Sequence, residues 1–132
     1  MKRILLLLII LICIGNIQAQ DSETKKEVKD GEMKKYYMVF LKTGPNKDYS
    51  DTAKIQKYQA GHMANIMRVY EMGKMDIAGP FGGNTELRGI FIMNVDKEEE
   101  IKELLADDVY IKEGYLIYEI LPWYAEKGAK LR

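Results

Sequence analysis

The chain has 132 residues, 47% of them hydrophobic and 30% charged, with 20 Lys plus Arg against 20 Asp plus Glu. Without a basic excess or a basic patch interleaved with aromatics, nucleic acid is not an expected partner. The single cysteine, Cys13, lies in the N-terminal apolar run, so a disulfide framework, a thiolate nucleophile and a cysteine metal site are excluded in everything after it.

The N-terminal MKRILLLLIILICIGNIQAQ has a basic start at Lys2 and Arg3, an apolar run from Ile4 to Ile14, and the small Ala19 before a polar stretch. These three regions predict a secretory signal peptide over residues 1–19, cleaved after Ala19, with an uncleaved anchor as the alternative. The run is about half the roughly 20 residues a membrane span needs, and no second span is expected after it. Removing Lys2 and Arg3 takes the basic residues from 20 to 18 against 20 acidic, a net charge of about −2. Export without disulfides fits a bacterial periplasmic or envelope protein. Residues 20–34, QDSETKKEVKDGEMK, have no apolar period and predict a polar, disordered spacer. The folded domain is expected over 35–124, one small domain by size, with a polar tail, AEKGAKLR, over 125–132.

Within the domain the hydrophobic period changes repeatedly. YYMVFL (36–41) is an aromatic and β-branched run that suits a buried strand, and KTGPNKDYS after it is a turn-rich loop. A long helix is predicted from Asp51 to Met72, with Ser50 or Asp51 as N-cap and Gly73 as the stop. MDIAG (75–79) is short and strand-like, PFGGNTE (80–86) is a loop, and RGIFIMNV (88–95) is the strongest strand signal. Asp96 then precedes KEEEIKELLAD, where Glu99 would complete a capping box, and YLIYEIL (115–121) is a last strand.

The order strand–helix–strand–strand–helix–strand predicts an α+β, ferredoxin-like βαββαβ fold. Two helices cover only one face of a four-stranded sheet. YYMVFL and GIFIM, however, are apolar at successive positions, so both faces call for burial. A homodimer packing sheet on sheet is the expected solution.

The only histidine, His62, lies in the long helix directly after Gly61. Ile55, His62, Ile66 and Val69 are spaced by 7, 4 and 3 residues and share one face, so His62 is expected on the sheet-facing stripe. It reads either as a packed, hydrogen-bonded histidine or as an acid/base group. Gly61 favours the second reading: a helix-interior glycine costs about 1 kcal/mol relative to alanine and often marks close approach by a backbone or ligand. Met63, Met67 and Tyr70 are expected as core or interface packing. Asp107 and Asp108 close the second predicted helix, either as a solvated turn or with one carboxylate orienting a histidine. GPFGGN (79–84) reads as a hairpin connection because no helix follows it to present amides to a phosphate. With no second histidine and no cysteine after the signal, a metal site is not expected. Ser22 lies in the spacer and Ser50 near the helix cap, which disfavours acyl transfer.

Taken in order, GHMANIMRVYEMGKMDIAGPF, RGIFIMNV and LLADDVYIKEGYLIYEILPW resemble the YCII-related family over about residues 36–124. The family pattern has a helix histidine, an AGP turn, a glycine-containing strand, an Asp-Pro segment leading to Lys-x-Gly, and a closing Pro-Trp or Pro-Phe. The resemblance implies a dimeric α+β barrel with a His–Asp pair in a cleft. On this chain the pair would be His62 and Asp108, since DVYIKEG aligns with the family's Asp-Pro-x-x-Lys-x-Gly. Val109 stands in place of the proline, Asp107 sits beside the expected aspartate, and Gln59 replaces an arginine that some relatives carry. The resemblance further implies a cofactor-independent lyase or isomerase acting on a small organic molecule. His62 would be the acid/base and Asp108 its orienter, Gly79 and Pro80 would shape the cleft, and Arg88 would meet an anionic substrate. A non-catalytic ligand-binding domain or a purely structural dimeric envelope module is the alternative.

Overall fold

The computed structural model describes residues 31–46 and 48–132. The signal segment 1–19 and the spacer up to residue 30 lie outside the described residues. Strand β1 (Met33–Thr43) leads to helix α1 (Thr52–Glu71), the hairpin strands β2 (Met75–Pro80) and β3 (Leu87–Met93), helix α2 (Glu98–Leu105), the one-turn helix α3 (Val109–Lys112) and strand β4 (Leu116–Glu126). The four strands form one antiparallel sheet in the order β2-β3-β1-β4, the ferredoxin-like arrangement. Among the described residues no helix is long and apolar enough to cross a membrane.

Alternation along the strands sorts the side chains into two faces. Tyr37, Val39 and Leu41 of β1 and Phe91 and Met93 of β3 join Val69 of α1 and Ile101, Leu104 and Leu105 of α2 in one core. The intervening residues, Tyr36, Met38 and Phe40, belong to the opposite face. There they pair in register with Trp123, Leu121 and Glu119 of β4. Trp123, Leu121 and Ile117 remain exposed on that side.

Three boundaries differ from the sequence expectation. Met33 and Lys34, read as spacer, belong to β1 and pair with Glu126 and Ala125, read as tail. A ladder end held by backbone hydrogen bonds needs no apolar side chains, so hydrophobic patterning misses it. Helix α2 starts later than predicted: Lys97 is its N-cap residue and no side chain caps it, so the Asp96–Glu99 capping box does not form. Glu98, Glu99 and Glu100 instead place three carboxylates in the first turn, where the helix dipole favours them. Finally, a third helix, α3, follows the Asp107–Asp108 pair; its single turn is too short to leave a period.

The N-cap of α1 is Asp51, whose carboxylate accepts from the Lys54 N–H at 3.0 Å. The helix ends at Glu71 with Met72 as its C-cap, and Gly73 follows with φ +68°, a conformation that glycine adopts without a Cβ clash.

Candidate active site

His62 is buried on α1 together with Asn65 and Val69, three residues on the face turned to the sheet. Ile55 and Ile66 of the predicted stripe are half-buried. The His62 Nδ1 lies 2.7 Å from Asp108 Oδ2. Asp108 is fully buried, and its other oxygen, Oδ1, accepts from the Tyr110 N–H at 3.0 Å. An ionised carboxylate only accepts hydrogen bonds, so a neutral imidazole paired with it carries its proton on Nδ1 and its lone pair on Nε2.

The two aspartates have separate environments. Asp107 is 77% exposed at its side chain and makes a loose ion pair with Arg68 at 3.4 Å. Asp108 closes nothing: it is the N-cap of α3. This carboxylate lies at the favourable, N-terminal end of a helix dipole.

Packing between α1 and the segment after α2 holds the pair in place. Asn65 Nδ2 donates to the Leu104 carbonyl at 3.3 Å, and Arg68 Nη2 donates to the same carbonyl at 3.0 Å and to Asn65 Oδ1 at 2.7 Å. These bonds anchor the C-terminal end of α2, four residues before Asp108. Sequence periodicity did not single out Asn65; a polar residue three positions after the histidine on the same stripe was the available signal.

Beside His62 lies a cleft of about 240 Å³ at the sheet end formed by Leu41, Gly89 and Leu116. Tyr49, Tyr110 and Tyr115 wall it, with the Tyr110 ring 5.4 Å from the imidazole and the Phe91 ring 6.2 Å away. Burial, and then the neighbouring Tyr49 and Tyr115, push the Tyr110 hydroxyl above its ordinary pKa, so it stays protonated. Tyr115 is itself fixed by donating to the Asp48 carbonyl at 2.9 Å. None of these tyrosines was among the sequence candidates, because the loop before α1 and the distant stretch between Asp108 and β4 supply them.

Of the other candidates, Arg88 and Pro80 line the cleft, whereas Gly79 lines an adjoining groove. The β1–β3 register shifts where Leu41 faces Gly89 and Lys42 faces Leu87, leaving Arg88 without a partner on β1. Such a bulge re-aims a side chain, here one that lines the cleft. Met63, Met67 and Tyr70 lie outside the core, exposed along α1. Among the described residues no group of three or more His, Cys, Asp or Glu converges as a metal site would require.

Residues 35–124 match the family model of the YCII-related domain. The chain belongs to that family. No curated protein is significantly similar to it, whereas nine chains of solved structures are. One is the 5-chloro-2-hydroxyhydroquinone dehydrochlorinase TftG from Burkholderia phenoliruptrix AC1100, in complex with 2,5-dihydroxybenzoquinone. It is 22% identical with a TM-score of 0.48, over 67% of this chain and 92% of that one.

In this YCII-related domain the role of Gly61 is internal packing. A Cβ built there would stand 2.8 Å from Cγ1 of Val109, the first residue of α3. The bare backbone of α1 is what lets α3, and with it Asp108, come close enough to reach His62. Gly61→Ala gains about 1 kcal/mol of helix propensity but meets an overpacking cost of about 1–3 kcal/mol against a stiff β-branched side chain. The expected net loss is up to about 2 kcal/mol. Combining it with Val109→Ala should recover much of the loss, giving a favourable coupling in a double-mutant cycle by urea unfolding. Additive effects would mean that the two residues do not press on each other.

Proposed function

We propose that this YCII-related domain is a cofactor-independent lyase or isomerase that moves a proton on a small organic molecule. One observation carries the reading: a fully buried carboxylate 2.7 Å from Nδ1 of a histidine whose ring borders a cleft. Asp108 holds the ring and its tautomer and stabilises the imidazolium formed when Nε2 accepts a proton from the substrate; the ring becomes neutral again when Nε2 donates that proton to another substrate atom. Arg88 supplies the positive charge for an anionic substrate or for charge developing on oxygen. Pro80 and the tyrosines shape the cavity around the substrate, and Gly79 borders its apolar extension.

Solvent exchange tests the proposal across many candidate substrates at once. A panel of hydroxylated and halogenated ring compounds in D2O is expected to contain at least one whose carbon-bound hydrogen is replaced by deuterium, followed by NMR, with wild-type protein and not with His62→Gln. Exchange that is absent throughout, while ligands still bind in the cleft, would make the domain a binding module.

The signal segment belongs to the same proposal: an exported protein working in a bacterial periplasm. So does the quaternary state. Tyr36, Met38, Phe40, Leu121 and Trp123 form an apolar sheet face opposite the helix-covered core. A second copy packed on that face would complete an α+β barrel and remove Trp123 and Leu121 from water. Light scattering at micromolar concentration is expected to give twice the chain mass for wild type and a shift toward monomer for Leu121→Lys. A wild-type monomer would remove the dimer.

A further inference from the structure

The cleft beside His62 adjoins a second space. Met63 and Pro80 line both that cleft and a second groove of about 480 Å³ between α1 and the edge strand β2. Ile66, Met67 and Tyr70 form the helix side of the groove, and Ala78 and Phe91 lie on the sheet side. Phe91 is thus shared in effect, since its ring also lies 6.2 Å from the His62 imidazole.

Met63, Met67 and Tyr70 stand four and three residues apart on one helical face and are 46, 50 and 56% exposed. A contiguous stripe of large apolar side chains left in water marks an interaction site, and methionine adapts its flexible thioether to ligands of varied shape. Elsewhere along the cleft the surroundings are polar. Arg88 lines both the cleft and a polar recess made with Thr43, Tyr49, Asn84, Thr85 and Glu86. One cleft is therefore lined by Arg88 and His62 and borders a polar recess through Arg88 and an apolar groove through Met63 and Pro80.

We propose that the ligand of this site is an amphipathic anion. Its acid group meets Arg88, its central carbons lie beside His62, and a hydrocarbon arm crosses Met63 to lie in the groove between Met67 and Ala78. The inference rests on the cleft being a ligand site, as proposed above, but not on proton transfer taking place there. The walls that the two spaces share, Met63 and Pro80, select a small molecule as occupant: a ligand long enough to pass them leaves the cleft for the groove.

Straight-chain carboxylates from butanoate to decanoate, titrated by calorimetry against the full chain, test this. Each added methylene is expected to raise affinity by up to about fourfold until the groove is filled. Met67→Ser, at an exposed position, should flatten that dependence while butanoate binds as it does to wild type. Arg88→Gln should weaken all the acids by a common factor and leave the dependence on length intact. Affinity independent of chain length, or a length dependence untouched by Met67→Ser, would overturn the proposal. So would a Met67→Ser protein that turns monomeric while no acid binds wild type, which would assign the groove to a second copy of the chain. Because binding is read without turnover, a normal length series without deuterium exchange would keep the amphipathic ligand and discard proton transfer. Exchange with a flat series would do the reverse.

Discussion

His62→Gln is expected to lower proton exchange by about 10²–10⁴-fold, the usual contribution of a positioned acid/base group, while the protein remains folded. Glutamine keeps a donor for the Asp108 carboxylate and an apolar stem against Phe91 and Tyr110, the ring's present neighbours. It has no lone pair that can take up and return a proton near neutral pH. Asp108→Asn should act through the ring instead. An amide N–H facing Nδ1 selects the tautomer with its proton on Nε2, which turns the cleft side from acceptor to donor. Its loss should approach that of His62→Gln even though the histidine is intact. Full exchange activity in His62→Gln, with an unchanged unfolding midpoint, would remove the histidine from the mechanism.

Asp108→Ala carries the largest expected cost in stability, about 2–4 kcal/mol when the lost cap and the orphaned donor are taken together. The carboxylate has two tasks. It caps α3 by accepting the Tyr110 N–H, and it is the partner of a buried Nδ1. Alanine removes a cap worth about 0.5–2 kcal/mol and leaves a buried donor unsatisfied at about 1–3 kcal/mol. Against a total of about 5–15 kcal/mol for a typical domain, such a loss is large. Asn at 108 preserves the cap and should cost less. Urea unfolding measures both, with a lower midpoint and an unchanged slope expected for alanine. A loss below about 1 kcal/mol would mean that water reaches the pair and replaces the carboxylate.

Much of the fold was legible because periodicity is a local property. Four apolar runs and two helical patterns in alternating order were enough to indicate a ferredoxin-like sheet, and the apolar positions of YYMVFL divided correctly between a helix-covered core and a second face. The ends were less legible. Met33 and Lys34 joined β1 through backbone pairing alone, α3 was too short for a pattern, and the start of α2 moved past its apparent cap.

The sequence by itself determined that His62 faces the sheet, because helical spacing from Ile55 to Val69 places it there whatever lies opposite. It determined that no thiol follows the N-terminal segment. It also marked Gly61 as anomalous, though not why: only the packing of α3 shows that Val109 is what approaches. Between Asp107 and Asp108 the family resemblance named the second, and the tertiary structure gives the physical reason: neighbouring residues at a turn point to different sides, and one ends buried, the other 77% exposed at its side chain. The tertiary structure also gathered Tyr49, Tyr110 and Tyr115 along the cleft that His62 borders, and left Met63, Met67 and Tyr70 beside a groove and out of the core. A pattern along one element fixes which face a side chain takes. What stands against that face is set by segments tens of residues away.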